Sequence, residues 1–222
     1  MKENHSTNHS SPKAQALQHR FDRDYRKGRP EISCPKVMDP NEPVSLWRFK
    51  RFEYIVRIYH ETPEIFAMDT TLRKTLLQEM GDDAKGTPSE VQSALQRRWK
   101  EFQELPVQSP DWLAIRLEGI LRQVPLNPES IELLLCAFLM ENDLAILGAC
   151  NGYFEEPMAE YHRRLRCFQL CTGLSHEEVV TWCAESSLLV SNDIFDPDLG
   201  LITHYQKVLL GLALMDHEVW GE

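Results

Sequence analysis

The sequence predicts an all-α protein: a multi-helix domain with room for one small β-hairpin near its C-terminal third. Three observations carry this. Apolar residues recur at the three-and-four spacing of a helix face through most of the chain after Val44. Helix-start signals precede those stretches, at Thr87-Pro88-Ser89-Glu90, Asn127-Pro128-Glu129 and Ser175-His176-Glu177-Glu178. A change of period comes only after Ser187, where Leu188-Leu189-Val190 and Leu201-Ile202 flank the turn-rich Asp196-Pro197-Asp198-Leu199-Gly200.

Residues 1–44 read as a flexible tail in which Asn, Ser, His, Lys, Arg and Pro dominate, with a basic stretch from Arg20 to Arg29. The helical domain occupies 45–222. Its first helix runs from Val44 to His60, with Trp47, Phe52, Ile55, Val56 and Tyr59 recurring at helical spacing and Pro63 as a break. Asp69 can cap a second helix carrying Leu72, Leu76, Leu77 and Met80, which Gly81 ends. The helix after Thr87 has Val91, Leu95, Trp99 and Phe102 on one face and stops at Pro106, so 106–110 marks a sub-boundary. Ser109-Pro110-Asp111 opens the next helix, with Leu113, Leu117, Ile120, Leu121 and Val124 inward. The helix after Asn127 is apolar on more than one face, which predicts the centre of the core, and Gly148 is expected to end it. Residues 157–204 form a helix–turn–helix–hairpin unit. One helix starts at Pro157 and ends at Gly173, and a second is capped by Ser175 and Glu178. A last helical pattern runs from His204 to Trp220.

Composition narrows the function classes. Over 222 residues the formal net charge is −10, so the surface as a whole repels a phosphate backbone. Residues 1–11 are polar and lack the apolar core of a signal peptide. The longest apolar run, Ile131 to Met140, is too short for a membrane span. A cytoplasmic location is the expectation. Six cysteines sit mostly within apolar helical stretches, where they act as small core residues.

No catalytic set emerges. Gly81 to Gly86 has the outer spacing of a phosphate loop, but Thr87 and Pro88 stand where Lys and Ser/Thr belong, and no strand precedes it. Cys167 and Cys171 share a helix face without a second matched pair, so a zinc site is not expected and the thiols read as buried and free. Ser nucleophile elbows and paired zinc-protease histidines are missing, which predicts a non-enzyme with no cofactor. Basic residues alternate with aromatics in Trp47-Arg48-Phe49-Lys50-Arg51, Arg97-Arg98-Trp99-Lys100 and Arg163-Arg164-Leu165-Arg166. A DNA-reading helix–turn–helix would place its second helix at His176-Glu177-Glu178, and that start is acidic where phosphates would lie.

Two motifs together carry a resemblance. They are Leu126-x-Pro128-Glu129-x-x-x-Leu133-Leu134-Leu135-x-x-x-Leu139, and Gly173-Leu174-Ser175-His176-Glu177-Glu178-Val179 followed by Ser186-Ser187-Leu188-Leu189-Val190. Over about a third of the chain this resembles the helical region that precedes the motor in large bacterial AAA-family ATPases. The motifs are caps and core positions. The sequence departs from the pattern at Ser191-Asn192-Asp193-Ile194-Phe195, and it contains no Walker A, Walker B or arginine-finger element. The resemblance implies a non-catalytic helical domain that regulates an AAA-type ATPase, in cis or in trans, or recruits its partners. Candidate contact residues are Trp47, Phe49, Trp99, Arg163, Arg164 and Arg166, because aromatics and arginines are enriched at interfaces and supply large contact area. The alternative is a nucleic-acid-binding accessory protein that uses the basic arm and the helix–turn–helix unit.

Overall fold

Why helices close around one another here is clearest at α1 (Leu46–Glu61). Ser45 caps it, its hydroxyl accepting from the Arg48 N–H at 3.3 Å. Trp47, Phe52, Tyr54, Ile55, Ile58 and Tyr59 are all buried, too wide a stripe for a surface helix, and α1 therefore packs on several neighbours. The computed structural model describes residues 43–68, 70–106, 111–152 and 159–211, all within the unit Val37–Glu222. Among them are eleven α-helices and no strand. The all-α prediction holds.

After α1 come α2 (Pro63–Met68), α3 (Thr70–Met80), a 3-10 turn (Gly81–Lys85) and α4 (Pro88–Glu104). Pro63, expected only to break the chain, begins the short α2, as proline can at a first helical position. Asp69 lies outside the described residues. The capping box before α4 is complete: Glu90 Oε2 accepts from the Thr87 N–H at 2.7 Å, and Thr87 Oγ1 accepts from the Glu90 N–H at 3.4 Å. Phe102 on α4 stacks on Phe52 of α1, with ring centroids 4.4 Å apart.

Next are α5 (Trp112–Gln123), α6 (Pro128–Asn142) and α7 (Leu144–Gly152). From Leu133 to Met140 every residue of α6 is buried, so the most apolar helix does lie in the core. It does not run on to Gly148 as expected. It breaks at Asp143, where the path bends by 99° into α7. The cause is local chemistry. Asp143 Oδ1 accepts from the N–H groups of Ala145 (2.9 Å) and Ile146 (3.2 Å), capping α7, while Oδ2 lies 2.7 Å from Arg51 Nε of α1. Asp111 has the same design. Its Oδ1 caps α5 by accepting from Leu113 (3.0 Å) and Ala114 (2.9 Å), and its Oδ2 accepts from the Leu46 N–H at the start of α1, 2.9 Å away. Two buried carboxylates thus each start one helix and fasten it to α1.

The chain continues with α8 (Glu160–Thr172), α9 (His176–Trp182), α10 (Leu188–Ser191) and α11 (Thr203–Leu210). Gly173 ends α8 with φ 73°, and the Ser175–Glu178 capping box opens α9. Pro157 lies outside the described residues, as does the pattern beyond Gly211. The expected hairpin is corrected. Leu188-Leu189-Val190 is the short helix α10, because Ser187 caps it, its hydroxyl accepting from the Val190 N–H. What remains of the strand pairing is a single antiparallel bridge, Phe195 to Leu201. Asp196 Oδ1 closes the turn between them, accepting from Asp198 (2.9 Å) and Gly200 (2.7 Å). Val44, read as the end of the tail, is buried, and its N–H donates to the Pro106 carbonyl at 2.9 Å.

Candidate functional site

The aromatic candidates do not form one surface. Trp47 is buried, edge-on to Phe138 at 5.5 Å and beside Trp112 at 6.2 Å. Phe49 and Trp99 are half-buried and face each other at 5.0 Å, sealing the contact between α1 and α4. These rings are mainly packing residues.

Each basic patch meets acids of its own chain. Arg48 Nη2 and Arg51 Nη1 reach the buried Glu79 at 2.9 and 3.4 Å. Lys50 lies between Glu53 (2.9 Å) and Glu132 (2.6 Å). Burial alone would lower its pKa, but hydrogen bonds and charge from Glu132 and Glu53 outweigh that and hold it above 10.5. Tyr54 donates to Glu132 Oε1 at 2.9 Å, and burial next to that carboxylate keeps its hydroxyl well above its ordinary value. Arg97 pairs with Asp83, and Arg98 with Glu101. On α8, Arg163 pairs with Glu160, and Arg164 bridges Glu160 (3.0 Å) and Glu141 (3.2 Å). Glu141 also accepts from the Leu201 N–H at 2.9 Å, so this network fixes the bridge segment; burial leaves the carboxyl of Glu141 above its ordinary value. Arg166 points outward and is exposed.

Arg166 instead lines a groove of about 460 Å³ between α1 and α8, with Val56, Arg57, His60, Glu61, Gln169, Leu170 and Gly173. Val56 and Leu170 supply an apolar floor. Arg57 and Arg166 face a single lining carboxylate, Glu61, which is hydrogen-bonded to His60 at 3.1 Å. Arg57 is itself paired with Glu53, so Arg166 is the groove's exposed cation, on a chain of net charge −10. Arg57 has two partners: Glu53 Oε1 at 2.8 Å, and the carbonyl of Thr172 at the end of α8. That second contact places a guanidinium at the negative end of the helix. It also lays the side chain across Gly173, where an added Cβ would collide with Arg57 Nη1. The Gly-Leu-Ser turn singled out in the sequence thus forms one end of the groove.

Sequence reasoning found Arg166 but missed Arg57, His60 and Gln169. Periodicity alone could have placed Arg57 beside the core face of α1. Nothing local tells that it reaches a carbonyl 115 residues away.

Other chemistry is sparse. At the 3-10 turn, the shallow hollow beside Gly86, Ser89 and Ser93 is also lined by Asp83, Glu90 and Arg97; Arg97 is paired with Asp83, which leaves the Glu90 carboxylate to oppose a phosphate. Cys136, Cys150, Cys167, Cys171 and Cys183 are buried and free. Among the described residues no group of three or more His, Cys, Asp or Glu is placed to hold a metal ion. Among them, too, no single helix is long and apolar enough to cross a membrane. Comparison with models of known families, with curated proteins and with solved structures finds no match for this chain.

Proposed function

We propose that this chain is a non-catalytic helical domain that binds a partner protein through the α1–α8 groove. The partner segment is acidic and amphipathic. Its apolar side would cover Val56 and Leu170, and its carboxylates would meet Arg57 and Arg166. The observation that carries this reading is the exposed Arg166 beside an apolar floor, on a protein of net charge −10. Net negative charge on the chain would disfavour the same acidic segment at most other surfaces.

The partner implied by the resemblance is an AAA-type ATPase module, with this domain as its regulator or recruiting arm. The Gly173 turn, which bears much of the resemblance, is part of the groove. The test is reconstitution with an AAA-type ATPase whose reading frame continues or neighbours this one. Co-elution, together with a changed ATP hydrolysis rate that Arg166→Glu removes, supports the proposal. No association at low salt refutes it. The nucleic-acid alternative receives less support from α1, α4 and α8, whose basic patches are largely paired with acids within the chain, while its basic arm lies outside the described residues.

A further inference from the structure

Four thiols converge where α6, α7 and α8 meet. Cys136 comes from α6, Cys150 from α7, and Cys167 and Cys171 from successive turns of α8. All are essentially sealed from solvent, at 0 or 1% exposure. Cys150 Sγ and Cys171 Sγ are 3.9 Å apart. Cys167 Sγ lies 3.9 Å from the Cys150 carbonyl. A core built only for packing needs no two thiols in contact, since alanine, valine or leucine would fill the volume without reactive atoms. Sulfur atoms at this separation need to close by about 2 Å to bond.

We propose that Cys150 and Cys171 are a redox-active pair that closes into a disulfide, fastening α7 to α8. The reaction takes a two-electron thiol oxidant, such as a diazene or a small-molecule disulfide. Two S–H bonds break and one S–S bond forms. Both protons and both electrons pass to the oxidant, whose N=N or S–S bond is reduced. Hydrogen bonding to Cys136 and burial hold the Cys171 thiol well above its ordinary pKa, so the reduced pair is inert while the core is closed. Cys150 lies two residues from the end of α7, the part of a helix that opens most readily, and oxidation proceeds through that opening. The same α8 that carries Cys171 inward presents Arg166, Gln169 and Leu170 to the groove. Oxidation would thus stiffen one wall of the groove. The disulfide itself does not depend on the binding proposal.

The test uses the full chain with Cys34→Ser, which removes competing pairing by that thiol. Folded, reduced protein is treated with diamide, residual thiols are blocked with N-ethylmaleimide, and non-reduced peptides are mapped by mass spectrometry. The expected result is a Cys150–Cys171 linked peptide that dithiothreitol reverses. It should be accompanied by a Tm rise of roughly 5–10 °C from the closed loop. Cys150→Ser and Cys171→Ser should each abolish both signals, while Cys183→Ser keeps them. Linkage that appears only in urea, linkage through other pairs, or a fall in Tm on oxidation overturns the proposal. Peptide mapping with both cysteines in place is decisive by itself, so the test survives a serine variant that fails to fold.

Discussion

Removing the Asp111 carboxylate should destabilise the fold at two places at once. Asp111 is 4% exposed, and it accepts three backbone N–H groups: Leu113 and Ala114 in its own helix, and Leu46 at the start of α1. Asp111→Ala deletes an N-cap, typically about 1 kcal/mol. It also leaves the Leu46 N–H without its acceptor in a part-buried position, which costs about 1–3 kcal/mol more. The two terms together predict a loss of about 2–4 kcal/mol. Asp111→Asn separates them. Its amide oxygen can still cap α5, but the NH2 then meets the Leu46 N–H donor to donor, so the loss should fall between wild type and alanine. Equilibrium urea unfolding followed by far-UV circular dichroism measures both, with the midpoint shifting at constant slope. A loss below about 0.5 kcal/mol for alanine, or identical losses for the two variants, would refute the double anchor.

Further expectations follow from the same geometry. Glu79→Ala strips the buried carboxylate from Arg48 and one of two from Arg51, which keeps Asp143, and should cost about 3 kcal/mol in urea unfolding; a near-neutral outcome would mean the network carries no stability. Glu90 and Glu178 are held below 4.5 by backbone hydrogen bonds from Thr87 and Ser175, so their contribution is present above 4.5 and is lost as pH falls through their folded values. Glu90→Gln with Glu178→Gln should flatten that acid limb in a urea–pH series. Lys50 and Tyr54 are both raised, so their contributions are full below about 10 and are lost as pH rises further; Lys50→Met should weaken the alkaline dependence of stability. Gly173→Ala strains a left-handed cap and displaces Arg57, and should lower stability by about 1–2 kcal/mol.

Helices were legible wherever caps and apolar spacing agreed. Thr87, Asn127, Ser175 and Asp111 all cap helices where the sequence placed helix starts. Two readings failed for the same reason. At Asp143 the apolar pattern runs on across the break, and only the combination of cap and Arg51 reveals the bend. At Leu188-Leu189-Val190 a short apolar run fits a strand as well as a helix, and the Ser187 cap decides. Site residues were less legible. Trp47 carries an interface-like composition yet faces Phe138, because side-chain chemistry alone does not say which side of α1 meets the core. The groove is made by residues far apart in sequence, joined by one Arg57 contact that no local pattern encodes.

Partner binding is proposed from the exposed Arg166 and the apolar floor of the α1–α8 groove, and a charge-swapped peptide pair tests it most directly. Two fluorescein-labelled amphipathic helical peptides share one leucine stripe, with glutamates flanking it in one and lysines in the other. Titrated by anisotropy at low salt, the glutamate peptide should bind at least about tenfold more tightly, a difference of about 1.4 kcal/mol. Arg166→Glu, an exposed and therefore fold-neutral change, should erase or invert that preference. Equal affinities for the two peptides, or a glutamate preference that survives Arg166→Glu, would contradict binding through this groove.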